Sequence, residues 1–199
     1  MKNGLPKNLS QAIEEAEFFT NKVRGKSFPI SEMFQLPDTL PWNVFAIFMP
    51  PRVTNLSCVR MMQMAGRGLR VWEEIDVDHF TFLFSDKPRL YLIERSERPT
   101  KSTMGLSPDQ LLATKSTFTE LGRYAIAMGM YHELTGKYLD SEETFTWFPR
   151  ERRPQNGGVA SGHWNLSSRK VRFHKSDSDL EFSYGGARLE IPVPLKLHA

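Results

Sequence analysis

The sequence predicts an α+β fold, a mainly antiparallel sheet with several helices, on three observations. Apolar residues recur at three- and four-residue steps in some stretches and at two-residue steps in others, so both helices and strands are encoded. The two kinds of stretch are mixed without the regular spacing of βαβ units, which favours antiparallel pairing. Hydrophobic residues make up 40% of the 199 positions and aromatics 12%, enough to bury a substantial core.

The elements follow in order. Asn8 to Arg24 reads as a helix: Leu9, Ile13, Ala16, Phe19 and Val23 are in phase, Asn8 and Gln11 have capping-box spacing, and Gly25 is placed to end it. Lys26 to Pro41 carries three prolines and no period, a connection. Trp42 to Met49 is a nearly continuous apolar run between prolines, the pattern of a buried strand. Thr54 and Asn55 open a short helix through Leu56, Val59 and Met62 that the glycines of Ala65 to Leu69 break. Ile75 and Val77 then alternate with Asp76 and Asp78, His79 to Phe84 continues as an apolar strand, and Arg89 to Glu94 returns, a hairpin pattern.

Ser107-Pro108-Asp109-Gln110 is a helix start, with a hydroxyl at the cap, proline at the first position and glutamine closing a capping box. Leu111, Leu112, Phe118 and Leu121 continue one stripe until Gly122 turns the chain, and a second helix runs through Ala127, Met130, Tyr131, Leu134 and Tyr138. Before the cap, Lys101 to Leu106 reads as a short extended segment with Lys101 and Thr103 facing outward. After Leu139 come an acidic-aromatic link and a loop rich in Pro, Gly and Arg. Arg169 to Lys175 is then a strand with Val171 and Phe173 inward and Lys170, Arg172 and His174 outward. Leu180 to Tyr184 and Ala187 to Ile191 flank Gly185-Gly186 as a hairpin would, and Pro192 and Pro194 keep the tail out of a sheet interior. The expected organisation is a core over residues 1–149, with a basic loop and hairpin over 150–199 packed on it.

The strand, capped helix, glycine turn and second helix of Thr100 to Leu139 resemble the ribbon-helix-helix DNA-binding proteins. The resemblance covers about forty of 199 residues. It implies a homodimer whose paired strands enter the major groove, with Lys101 and Thr103 reading bases and the amides around Arg123 and Tyr124 holding a phosphate. Ser102 and Gly105 depart from the strand pattern, and no Ser or Thr caps the second helix.

Net charge is only +3, but its distribution is uneven. Between Arg150 and Lys175 lie Arg150, Arg152, Arg153, Arg169, Lys170, Arg172 and Lys175 against Glu151 alone, a footprint suited to a phosphate backbone. If no ribbon forms, Arg172 and His174 are the candidate base readers. Trp147, Trp164 and Phe173 could stack on the bases of RNA or single strands. The expectation is therefore a non-catalytic protein binding double-stranded DNA as a dimeric transcriptional regulator or accessory factor, with no cofactor. The rival is a metal-dependent nuclease. Asp76 and Asp78 would share a divalent ion, with Glu73, Glu74, His79 and Glu94 nearby and Lys87 assisting. A scaffold subunit presenting its methionines and phenylalanines is the third reading. No Gly-x-Ser-x-Gly supports a hydrolase triad. The one cysteine, Cys58, excludes an internal disulfide and fits a buried position on a helix. An acidic N-terminal stretch unlike a signal peptide, and the lack of eighteen consecutive apolar residues, point to a cytoplasmic protein outside the membrane.

Overall fold

The structure is a computed structural model that describes residues 7–26, 28–65, 69–72, 85–141, 143–152 and 158–196. The fold is α+β, with a long helix between a three-stranded and a five-stranded sheet. Helix α1 (Lys7–Arg24) buries Leu9, Ile13, Ala16, Phe19 and Val23, as their spacing predicts, and Gly25 follows it at a φ of +63°. After the single turn α2 (Ile30–Met33), strand β1 (Val44–Met49) is buried along its whole length between α1 and the central helix. Helix α3 (Asn55–Ala65) begins where Thr54 Oγ1 accepts the Ser57 N–H at 3.1 Å, and buries Cys58, Val59 and Met62.

Strand β2 (Val71–Trp72) is short, and β3 (Arg89–Glu94) pairs antiparallel with β1. The expected hairpin partner of β3 at 79–84, and the glycines at 66 and 68, lie outside the described residues. Helix α4 (Pro108–Ala113) has the capping box its sequence spells: Gln110 N–H donates to Ser107 Oγ, and Ser107 N–H to Gln110 Oε1. The central helix α5 (Leu121–Thr135) is buried from Leu121 to Tyr131, and Gly136 closes it in the left-handed conformation. Tyr124 packs on Phe148 and Phe173 of the larger sheet, Tyr131 on Phe45 of the smaller.

Strands β4 (Phe145–Arg152), β5 (Val159–Asn165) and β6 (Lys170–Ser176) form an antiparallel meander. With β2 and β7 (Gly185–Gly186) added in parallel, the sheet order is β2-β6-β5-β4-β7. Strand β8 (Glu190–Val193) leaves this sheet and completes the other, in the order β1-β3-β8. It is an edge strand, the place where Pro192 can be tolerated.

Several expectations are corrected. Residues 101–103 form a 3-10 turn rather than a strand; Gly105 has a φ of +84°, and its N–H donates to the Gly185 carbonyl. Helix α4 stops at Ala113, because Thr117, Phe118 and Thr119 run extended and pair with residues 188–190. Gly122 lies inside α5 and makes no turn; a Cβ there would meet Asn55 Oδ1 at 2.8 Å, so the glycine lets α3 approach. The predicted link and loop after Leu139 instead contain β4 and the start of β5, with 153–157 outside the described residues, so the expected boundary after residue 149 falls within a strand. Gly185-Gly186 is extended and not a turn. A Cβ on Gly185 would sit 2.5 Å from the Phe145 ring, and one on Gly186 would sit 3.0 Å from Met104, Pro99 and Thr103. Those glycines admit close neighbours and impose no backbone reversal.

Candidate nucleic-acid interface

From Val159 to Ser176 the chain contains no aspartate or glutamate, and it carries Arg169, Lys170, Arg172 and Lys175 together with His163 and His174. This stretch is the β5–β6 hairpin. Its register sets Ser161 opposite His174, His163 opposite Arg172 and Asn165 opposite Lys170, which places these six side chains on one face. On the other face Ala160, Trp164, Val171 and Phe173 join the main core. The alternation has a simple cause. One face must cover α5 and is apolar, and the other is left to polar residues.

His163, Lys170, Arg172 and His174 are half-buried. The two imidazoles lie face to face, 5.1 Å between centroids and 5° from parallel. Toward β4 the same face is closed by Trp147, which packs with Leu111, Val159, Ala187 and Phe182. Toward that side, the polar part of the face ends at β5. At the turn between them, Asn165 Oδ1 accepts the Ser168 N–H at 2.8 Å and Arg169 adopts a φ of +51°, exposed.

The remaining predicted residues are scattered. Lys175 is exposed but in register with Ala160, on the opposite face. Arg150 is exposed on β4, while Arg152 is paired with Asp109, whose carboxyl it holds below the usual range. Arg153 lies outside the described residues. Lys101 is exposed on the 3-10 turn. Thr103 is buried, its hydroxyl within hydrogen-bonding reach of the Thr100 and Ala187 carbonyls and accepting the Ala187 N–H at 2.9 Å. It is a structural tie between distant segments and cannot read a base. Trp147, Trp164 and Phe173, the expected stacking residues, are all buried, and Trp164 stacks on Tyr138 at 3.6 Å.

Arg123 is also an interior residue. It donates from Nε and Nη2 to both oxygens of Glu190, at 2.8 and 2.7 Å, and from Nη1 to Glu120, while its guanidinium lies 4.0 Å from the centre of the Tyr91 ring. The start of α5, expected to hold a phosphate, is occupied by a carboxyl group: the Leu121 N–H donates to Glu151 Oε1 at 2.7 Å, and Asn55 Nδ2 donates to Oε2 at 3.0 Å. Burial pushes the Glu151 carboxyl up to about 8, with the charge of Glu120 adding to the effect. Burial likewise raises the Cys58 thiol beside it, so this cysteine is a packing residue.

Asp76, Asp78, Glu73, Glu74 and His79 lie outside the described residues; Glu94 is half-buried and accepts the Thr100 hydroxyl. Among the described residues no group of three or more His, Cys, Asp or Glu is placed to hold a metal ion, and no helix is long and apolar enough to cross a membrane. Three members of the β5–β6 face, Ser161, His163 and Asn165, are not among the predicted site residues. Their alternation is the available signal, masked by the Gly and Ser content that makes this stretch resemble a loop. No family model, no curated protein and no solved structure matches the chain.

Proposed function

We propose that the protein binds nucleic acid, with duplex DNA as its partner, through the outer face of the β5–β6 hairpin, and that it acts as a regulator or accessory factor. One observation carries this reading. Lys170, Arg172, His163 and His174 share a face of two strands that contain no carboxylate. A cluster of basic side chains is what a phosphate backbone selects, and a rigid two-stranded scaffold can present them to a groove. Arg169 and Lys170 contact phosphates. Arg172 and His174 supply the sequence preference, since an arginine can address guanine through two hydrogen bonds. Lys175 and Arg150 lie at the rim. A homodimer would double the footprint across two half-sites.

The test is a fluorescence-anisotropy titration of random duplex with the wild type and with R169A/K170A/R172A. The variant should bind all sequences at least about tenfold more weakly, and its log–log salt slope should flatten by about 0.9 for each lost phosphate contact. Equal affinity of the two proteins refutes the interface. Tighter binding of single-stranded DNA or RNA in parallel titrations would reassign the partner.

A further inference from the structure

We infer that the protein has a second ligand site, a cleft at the β3–β8 side of the smaller sheet that takes a phosphate monoester with an apolar or aromatic body. The cleft has an outer and an inner part, which share Ser85, Lys87, Arg89 and Tyr91. The outer part holds about 350 Å³, and its walls are Pro88, Leu90, Pro192, Val193 and Leu195. That volume is within the ordinary range for small-molecule sites, and so is the composition, mostly apolar with a few polar groups converging at one end. The inner part is a recess of about 20 Å³ reaching Met49, Val53 and Arg123, space for one water-sized group. Pro192 stands in register with Tyr91 on the edge strand β8. It has no N–H to offer a further strand, so this edge suits a small ligand better than an added peptide.

Lys87, Arg89 and Arg123 line the recess, and among the described residues no aspartate or glutamate lines either part of the cleft. Lys87 and Arg89 are exposed, and among the described residues neither is paired with an acid; Arg89 Nη1 donates to Tyr91 Oη at 3.3 Å, and Asp86 is held by Arg52 at 2.9 Å. Two such cations match the charge of a phosphate monoester, close to −2 at neutrality, where a carboxylate would offset only one of them. Arg123 is already balanced by Glu120 and Glu190, so it contributes hydrogen bonding and not net charge. Its guanidinium has five N–H donors and gives three of them to those carboxylates, which leaves donors for an oxygen in the recess. Exposed cations alone hold an anion weakly in water. The remaining affinity comes from the body of the ligand, which lies on Tyr91 and the apolar walls while the phosphate sits between Lys87 and Arg89.

The experiment titrates the isotope-labelled protein with phenyl phosphate and follows the backbone amide resonances, for the wild type and for Lys87→Gln/Arg89→Gln. The wild type should bind with a Kd of about 1 mM or tighter, with the largest shifts at residues 87–91 and 193–195. The double variant should bind at least about fivefold more weakly. Phenol, benzoate and inorganic phosphate, which lack the charge, the second charge and the body in turn, should each bind the wild type at least about fivefold more weakly than phenyl phosphate. R169A/K170A/R172A should keep wild-type affinity for phenyl phosphate, because those residues belong to the hairpin of the other sheet. The cleft and the nucleic-acid interface therefore stand or fall separately. No saturation by about 10 mM, wild-type shifts centred elsewhere, or unchanged affinity in the Lys87/Arg89 variant overturns the site. Phenol, benzoate or inorganic phosphate binding as tightly as phenyl phosphate overturns the ligand class.

Discussion

Among the described residues, Glu151 receives hydrogen bonds from neutral donors alone, the Leu121 N–H and the Asn55 amide, while Glu120 and Glu190 divide the Arg123 guanidinium between them. A buried carboxyl with no cation of its own favours its protonated form, which is why its titration moves up to about 8. In the unfolded chain it would titrate near 4.3. The folded state thus binds the proton more tightly. Its contribution to stability is complete below the unfolded value and is lost as pH rises through about 8. The melting temperature should fall between pH 5.5 and pH 8.5, and Glu151→Gln should flatten that decline. The amide keeps an acceptor for Leu121, and Asn55 can turn its carbonyl toward the new N–H. Thermal unfolding across pH checks this. A wild-type midpoint that climbs over the same range would show that Glu151 is ionised in the folded protein. Arg188 and Asp140 show the alternative solution to burial. They pair at 2.8 Å, and the Tyr124 and Thr146 hydroxyls also donate to the carboxylate, so that both charges are satisfied in the interior.

Between elements, the decisive contact is that of α3 with α5. Gly122 and Gly129 are two turns apart on α5 and face α3: a Cβ on Gly129 would stand 3.0 Å from the Met62 Cα and 3.4 Å from its Cβ. Backbone cannot swing aside as a side chain can, so Gly129→Ala must push the helices apart. The expected cost is about 1–3 kcal/mol, the usual penalty for overpacking, read as a lower urea midpoint with an unchanged slope. A neutral or stabilising substitution would mean that the helix gap is wider than described. These glycines show why element boundaries were only partly legible. The capping box at Ser107 is a local hydrogen-bond pattern, written in four consecutive residues and correctly read. Gly122 carries the same local signature as a turn, and only the presence of α3 reveals that it serves close approach.

At the scale of the whole molecule, the last fifty residues are woven into the rest. Strand β8 completes the sheet begun by β1 and β3. Arg188 binds Asp140, Glu190 binds Arg123, and the Phe34–Leu195 bridge ties the chain's end to α2. A fragment of residues 1–149 would lose β5, β6 and β7 from one sheet, an edge strand from the other, and the partners of two buried charges. It should show no cooperative thermal transition by circular dichroism. A sharp transition would mean that the first 149 residues form an independent core. What the sequence determined by itself is whatever depends on near neighbours. The period of α1 and β1, the cap of α4 and the two-faced pattern of β6 are all set by residues a few positions apart. The acid-free basic stretch is likewise a property of the sequence alone. Only the tertiary structure decided which cations share a face. Register places Lys170 and Arg172 with His163 and sets Lys175 on the reverse, and burial withdraws Arg123 and Thr103 to internal partners. Strand pairing and burial join residues far apart in the chain, and no local pattern records them.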